Sequence, residues 1–278
     1  MFLLNILVCL DSNYINPLKV MLYSLFTNNE HNNFDVYLMH SKIPQYELNS
    51  LNDYIVKNWP SNSFNPIKIS SDDFKNAPVV SYYSEEMYYR LFAHKYLPKD
   101  MERILYLDPD ILIINEINEL YNVDFDNNLF AACHHNKIFI KGINKIRLLQ
   151  YQIEEYYNSG VLMMNLTEQR KRIDESEIYD FIEKNKAILI LPDQDVLNSL
   201  YSKDIKDVDE ILYNYDTRFY TYYKFLSKGK VDMDYIFDNT VILHFCGKKK
   251  PWKKPYSGEF HSLYKHYQKQ VQKLEINK

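Results

Sequence analysis

Asp108 and Asp110 interrupt the apolar run "LYLDPDILI", with Pro109 between them. A carboxylate resists burial unless something pairs it, so a cation is the first partner to consider. If the run is extended, side chains two residues apart face the same side and could share one divalent ion. Hard oxygen ligands suit Mg2+ or Mn2+, and an imidazole such as His244 tilts the choice toward Mn2+. Asp and Pro are also common turn residues, and the pair on its own reads as a turn. The apolar flanks on both sides are what set it apart. Zinc is disfavoured, because His244 and Cys246 have no second Cys or His pair at zinc spacing.

A second constellation is "HFCGKKKPWKK". Gly247 permits backbone conformations closed to other residues, and five lysines fall between positions 248 and 254. A cationic loop after a strand suits a diphosphate, while the same run also reads as a solvated surface or a patch for anionic lipid. In "LPDQDVLN", Asp193, Gln194 and Asp195 follow Pro192 as a helix start would, and three consecutive polar side chains could line a sugar pocket. Asn158, Ser159 and Gly160 in "YYNSGVLMMN" lead into a strand and read as a turn. No G-x-G-x-x-G, P-loop or G-x-S-x-G occurs, so those phosphate loops and a serine hydrolase lack support.

Short apolar runs alternate with segments of helical period, the pattern of an α/β sheet flanked by helices. Strands are expected at "FLLNILVCL", "FDVYLMH", "PIKIS", "RILYLD", "LFAACH", "GVLMMN" and "TVILHFC". Helices are expected after the first strand with Pro17 in the opening turn, over "PQYELNSLNDYIVKNW", and over "SEEMYYRLFAHKYL" with Ser84 as cap. Two more are expected, one from about Thr167 to Lys186 and one over "DQDVLNSLY". Asp11 and Asn13, Asp108 and Asp110, Asn165 and His244 then all fall at strand ends. In open α/β sheets, ligands bind beyond the carboxyl ends of parallel strands.

Bulk composition is that of an ordinary globular protein: 278 residues, 46% hydrophobic and 25% charged. A net charge of -4 gives no global sign of nucleic acid, so any anion site must be local. Three widely spaced cysteines fit a reducing compartment. The apolar start lacks a basic segment and a cleavage site, and Asp11 ends it early, so cytoplasmic residence is the expectation. The glycosylation triplet at Asn165 is then unused. Tyr 26 against Gly 5 reads as composition bias. One domain over 1–252 is expected, with a basic, aromatic and helical tail over 253–278 that could lie at an anionic membrane surface, at the inner face.

In order, "DSNY" at 11, "YYRL" at 88, "LYLDPDILI" at 105, "YNSGVLMMN" at 157, "LPDQDVLN" at 191 and "HFCGKKKPW" at 244 resemble the motif series of the family 8 retaining glycosyltransferases. That family includes bacterial α-galactosyltransferases and α-glucosyltransferases of lipopolysaccharide and surface-glycan synthesis, and glycogenin. The resemblance implies a GT-A fold, a Rossmann-like mixed central sheet flanked by helices, and transfer from a UDP-hexose to a glycan, glycoprotein or glycolipid acceptor. By motif, Asp108, Asp110 and His244 would hold Mn2+ or Mg2+, and Gly247 and Lys250 would contact phosphate. Asp11, Asn13, Tyr14 and the Cys9 backbone would lie at uridine. Arg90, Asn158, Ser159, Asp193 and Gln194 would surround the donor sugar, with Pro109 between the metal ligands and Arg90, Asp193 and Gln194 in catalytic roles. Ser159 replaces a more usual alanine, and Tyr82 stands where a galactosyltransferase has histidine near the acceptor. A UDP-sugar hydrolase, a non-enzymatic nucleotide-sugar binder and a self-glucosylating protein are the competing readings.

Overall fold

The computed structural model describes residues 2–70, 85–134, 153 and 155–276. Ser84 and Tyr82 fall outside the described residues. A seven-stranded sheet has the order β3-β2-β1-β4-β7-β6-β8. It is built from β1 (Phe2–Cys9), β2 (Asn32–His40), β3 (Ser63–Lys68), β4 (Arg103–Leu107), β6 (Phe130–His134), β7 (Tyr157–Asn165) and β8 (Ile205–Asp207). A separate three-stranded sheet sets β10 (Ile242–His244) between β5 (Ile111–Ile113) and β9 (Tyr215–Asp216). The apolar run around Asp108 and Asp110 is therefore two strands, one in each sheet, and the acidic pair sits in the turn that joins them.

Alternation along β1 sends Leu4, Ile6 and Val8 into one core and Leu7 and Cys9 into the other, so both faces of the sheet are covered. On the first face lie α1 (Ile15–Thr27) and α2 (Gln45–Asn58). Helix α1 buries Leu18, Met21, Leu22, Leu25 and Phe26, the stripe that a 3.6-residue period brings to one side. On the second face lie a 3-10 helix, Glu85–Phe92, and α3 (Leu166–Arg172), α4 (Glu175–Asn185) and α5 (Pro192–Tyr201).

Three expectations are corrected. The helix expected over residues 84–97 is mostly the 3-10 run, followed by one α turn at Ala93–Tyr96. The helix expected from Thr167 to Lys186 is two, because Asp174 accepts a hydrogen bond from the Ser176 amide and caps a fresh start. Asn165 is not at the cleft: β7 runs antiparallel to β4, pairing Asn165 with Arg103, and Asn165 caps α3 at the far end of the sheet. The same reversal brings the first residues of β7, Asn158 to Gly160, beside the end of β4.

Two further helices matter below: α6 (Tyr220–Leu226) and α7 (His261–Ile276). Helix α7 turns Tyr264, Tyr267, Val271 and Leu274 toward the first core and α1. Lys19 pairs with Glu275 at 2.6 Å, and Asn28 donates to Tyr267 Oη at 2.9 Å. None of the helices among the described residues is long and apolar enough to cross a membrane.

Candidate active site

Four strand ends meet where the two sheets adjoin: the end of β4, the start of β5, the start of β7 and the end of β10. The Asp108 amide donates to the Gly160 carbonyl at 2.8 Å, and the Phe245 amide donates to the Asp110 carbonyl at 2.9 Å. The acidic turn is thus stitched to β7 on one side and to the end of β10 on the other. Asp108 is half-buried, and Pro109 and Asp110 are buried.

Each carboxylate has one oxygen held by protein. Asp108 Oδ1 accepts from Tyr106 Oη at 2.5 Å and lies 3.1 Å from Arg90 Nη1. Asp110 Oδ2 is paired with Lys250, whose ammonium also donates to the Phe245 carbonyl at 3.1 Å. The other oxygens face His244: Nε2 is 3.3 Å from Asp110 Oδ1 and 3.9 Å from Asp108 Oδ2. Burial pushes the Asp110 carboxyl up, but Lys250 and then His244 outweigh it and hold it well below the usual carboxylate range.

The ring orientation of His244 follows from a chain of donors and acceptors. The Gly160 amide, which can only donate, gives its proton to Asn158 Oδ1 at 2.9 Å. Asn214 must therefore present Nδ2 to that same oxygen, at 2.9 Å. Its Oδ1 is left to face His244 Nδ1 at 2.8 Å, so Nδ1 carries the proton and Nε2 points its lone pair at the carboxylates. Asp108, Asp110 and His244 each offer one ligand atom, all within 4.8 Å of one another. Two carboxylate oxygens and one oriented imidazole nitrogen fit a divalent cation of the Mg2+ or Mn2+ kind. Burial lowers the His244 pKa, but Cys246 and Asp110 outweigh it and lift the imidazole well above its ordinary value, so a proton and a cation compete for Nε2.

Arg90 connects this focus to the start of α5. Its Nη1 donates to the Ser159 carbonyl at 2.8 Å and lies 3.3 Å from Asp193 Oδ2, while its guanidinium packs 4.2 Å from the centre of the Tyr106 ring. Ser159 Oγ donates to Asp193 Oδ2 at 2.8 Å, and Gln194 Oε1 accepts from Asn158 Nδ2 at 3.3 Å. Burial raises the Asp193 pKa against the pull of Arg90. Asp195 has a different role: it accepts from Tyr156 Oη at 2.6 Å and from the Ile190 and Leu191 amides at 2.8 and 3.2 Å, which locks the entry to α5.

At the end of β1, Asp11 caps a short 3-10 turn by accepting from the Asn13 amide at 2.8 Å. Tyr14 leaves that turn half-buried, with its ring edge-on to Trp252 at 6.0 Å and within the field of Lys250, Asp110 and Asp108. Cys9, at the end of the same strand, is buried. Gly247 has φ +88, and a Cβ there would meet Arg218 Nη1 at 2.6 Å. The structure therefore joins Arg90, Asp108, Asp110, Asn158, Ser159, Asp193, Gln194, His244 and Lys250 in one contact network, while the Asp11 and Asn13 side chains bond only to each other among the described residues.

Residues 5–255 match the family described as "Glycosyl transferase family 8". The chain belongs to that family. Lipopolysaccharide 1,2-glucosyltransferase of Escherichia coli K12 is 27% identical to it over 257 residues, which span 90% of this chain and 73% of that enzyme. General stress protein A of Bacillus subtilis is 24% identical over 273 residues, 93% and 92% of the two chains. The galactosyltransferase LgtC, solved with donor and acceptor sugar analogues, superposes with a TM-score of 0.80 at 21% identity over 96% of each chain. The fold is accordingly that of GT-A glycosyltransferases, with a mixed central sheet flanked by helices.

Within this family 8 site, three contributors escape sequence reasoning. Gly160 reads as a turn residue but lies inside β7, where a Cβ would stand 2.5 Å from His244 Cε1 and 2.6 Å from Asp108 Oδ2. The one available signal is scarcity, since the chain has only five glycines. Asn214 and Tyr106 orient ligands from behind. Nothing in "YNYDTR" or "ILYL" marks them.

Proposed function

We propose that the chain transfers a hexose, glucose or galactose, from a UDP-hexose to a hydroxyl of a glycan, glycoprotein or glycolipid, with retention at the anomeric carbon. The setting assigned is bacterial cell-surface glycan synthesis in the cytoplasm, and similarity to a lipopolysaccharide 1,2-glucosyltransferase supports the glycan part of that reading. The observation that carries the reading is the convergence of Asp108 Oδ2, Asp110 Oδ1 and His244 Nε2 beside Arg90, Asp193 and Gln194.

Asp108, Asp110 and His244 would hold Mn2+ or Mg2+, which supplies charge stabilisation to a departing diphosphate. Gly247 and Lys250 contact the phosphates, and Asp11, Asn13, Tyr14 and the Cys9 backbone receive the uridine. Arg90, Asn158, Ser159, Asp193 and Gln194 surround the sugar. Arg90 Nε is buried and has no hydrogen-bond partner among the described residues, so it is a donor left over for a ligand.

A covalent route needs an accessible carboxylate. Gln194 is an amide and a poor nucleophile, Asp195 is locked by three hydrogen bonds, and Asp193 is engaged by Ser159 and Arg90. A front-face reaction follows: the acceptor oxygen bonds to the anomeric carbon on the side from which UDP leaves. The C–O bond to the phosphate breaks with its electrons on the phosphate oxygen, and that oxygen takes the acceptor proton. UDP release should be measured with UDP-glucose and UDP-galactose separately, in Mn2+ and in EDTA, for wild type and Asp110→Ala. Release confined to one sugar, dependent on the ion and lost in the variant supports the proposal; ion-independent release, or a glycosyl adduct on Asp193, refutes it.

A further inference from the structure

The net charge of -4 conceals a division along the chain. Residues 217–278 carry thirteen Lys and Arg against five Asp and Glu, a net of +8, which leaves -12 for residues 1–216. Such asymmetry marks a surface for an anionic partner. Much of this charge is exposed, with Lys265, Lys269 and Lys273 spaced by four on the outward side of α7. The apolar side of α7 is already turned to α1, so that helix has little to insert into a bilayer.

The apolar component lies at the end of α6. Phe225 is 80% exposed and its neighbour Leu226 55%. They are not frayed ends. The turn after them is closed by bonds from the Gly229 amide to the Lys224 carbonyl at 2.8 Å and from the Lys228 amide to the Phe225 carbonyl at 3.1 Å. Ser227 Oγ donates to Lys224 O at 3.0 Å and accepts from the Val231 amide at 2.9 Å. Gly229 at the tip faces open space, since a Cβ there would meet nothing within 4 Å, while Val231 anchors the turn against the core. Lys224, Lys228, Gly229 and Lys230 are exposed around the two apolar side chains, and no Asp or Glu occurs from residue 217 to 231. An exposed Phe-Leu pair is poorly suited to a purely ionic partner such as a nucleic acid. Apolar side chains ringed by lysine are what the headgroup boundary of an anionic bilayer accepts.

We propose that this tip, Lys224 to Lys230, docks the protein on an anionic lipid surface. Phe225 and Leu226 enter the boundary between headgroups and acyl chains, while Lys224, Lys228 and Lys230 meet lipid phosphates and the α7 lysines add long-range attraction. Helix α6 rises only about 9 Å from Tyr220 to Leu226, and it starts two residues after Arg218, whose guanidinium fills the space that a Cβ on Gly247 would need. Docking therefore holds the cleft close to the membrane, which favours a lipid-linked acceptor. That last step rests on the transferase reading; the docking itself does not.

The test is sedimentation of the full chain with vesicles of phosphatidylcholine alone and of equal parts phosphatidylcholine and phosphatidylglycerol. The wild type should sediment with the anionic vesicles only. Phe225→Ser with Leu226→Ser should lower partitioning about tenfold or more, and Lys228→Gln with Lys230→Gln about fivefold per charge. UDP release in solution should stay unchanged in both, which also reports that they fold. Phe225→Trp should show blue-shifted emission on anionic vesicles. Wild type left in the supernatant, a serine variant that binds as well as wild type, or an indole that stays in water would each overturn the proposal. Loss of UDP release from the wild type with vesicle binding intact would instead refute the transferase reading alone.

Discussion

Gly160→Ala tests whether the site is limited by space. The new methyl would stand 2.5 Å from His244 Cε1 and 2.6 Å from Asp108 Oδ2, where ordinary contact begins at 3.4 Å. Neither neighbour can retreat freely. His244 is tied through Nδ1 to Asn214, and Asp108 through Oδ1 to Tyr106 and Arg90. Overpacking of this kind costs about 1–3 kcal/mol of stability, and displacing reacting groups by about 1 Å costs about 100-fold in rate. We expect the variant to fold, with an unfolding free energy from urea titration lowered by that amount, Mn2+ affinity weakened and kcat/KM for UDP release down about 100-fold. Calorimetric Mn2+ titration and UDP-release kinetics read the two effects separately. A variant with wild-type metal affinity and wild-type kcat/KM would show that the packing around Gly160 does not set the geometry of the site.

Asn214→Ala removes the acceptor for His244 Nδ1 and the donor to Asn158. Mn2+ affinity should fall about 10- to 100-fold, measured by calorimetry; unchanged affinity would show that His244 needs no orientation from behind. The pH dependence of metal-free stability follows from two opposite shifts, Asp110 held low and His244 held high. A depressed carboxyl stabilises above its unfolded value and that contribution is lost as pH falls, whereas a raised imidazole stabilises below its unfolded value and that contribution is lost as pH rises. The pair thus contributes most between about pH 4 and 6.5. Urea unfolding in EDTA should show His244→Asn flattening the alkaline side of the profile, and parallel profiles for variant and wild type would contradict the assignment.

The parts of the fold legible in the sequence are those where burial and period agree. The eight residues of β1 and the stripe of α1 belong to this kind. The direction of β7 was not legible, because a strand buried on both faces reads the same either way. Yet that direction decides whether Asn165 or Asn158 reaches the cleft. The acidic pair was legible for a partly mistaken reason. Its side chains converge through a turn between two sheets, not through the alternation of one strand. Asp195 falls to one of the two readings its motif left open, a helix start and a sugar contact, since its hydrogen bonds make it a helix lock. Sequence spacing names candidates, and only the partner of each oxygen separates ligand from scaffold.

Lys250 is the case where two roles assigned separately turn out to be joined. Its ammonium is engaged by Asp110 Oδ2 and the Phe245 carbonyl, so it is not a free cation waiting for phosphate. Three carboxylates, Asp108, Asp110 and Asp193, face two permanent cations, Arg90 and Lys250. With His244 protonated the three carboxylates are balanced, but Asp110 then holds both its partners and offers none of that charge to a diphosphate. Further positive charge at Asp110 Oδ1 would satisfy that carboxylate and at the same time loosen its hold on Lys250. Binding of a cation and availability of Lys250 to phosphate are then one coupled event. Asp110→Asn and Lys250→Met should accordingly be non-additive: the double variant should lose less affinity for UDP in the presence of Mn2+ than the two single losses combined, by about 0.5–3 kcal/mol. Calorimetric titration of UDP into the four proteins closes the cycle, and strictly additive losses would separate the two residues again.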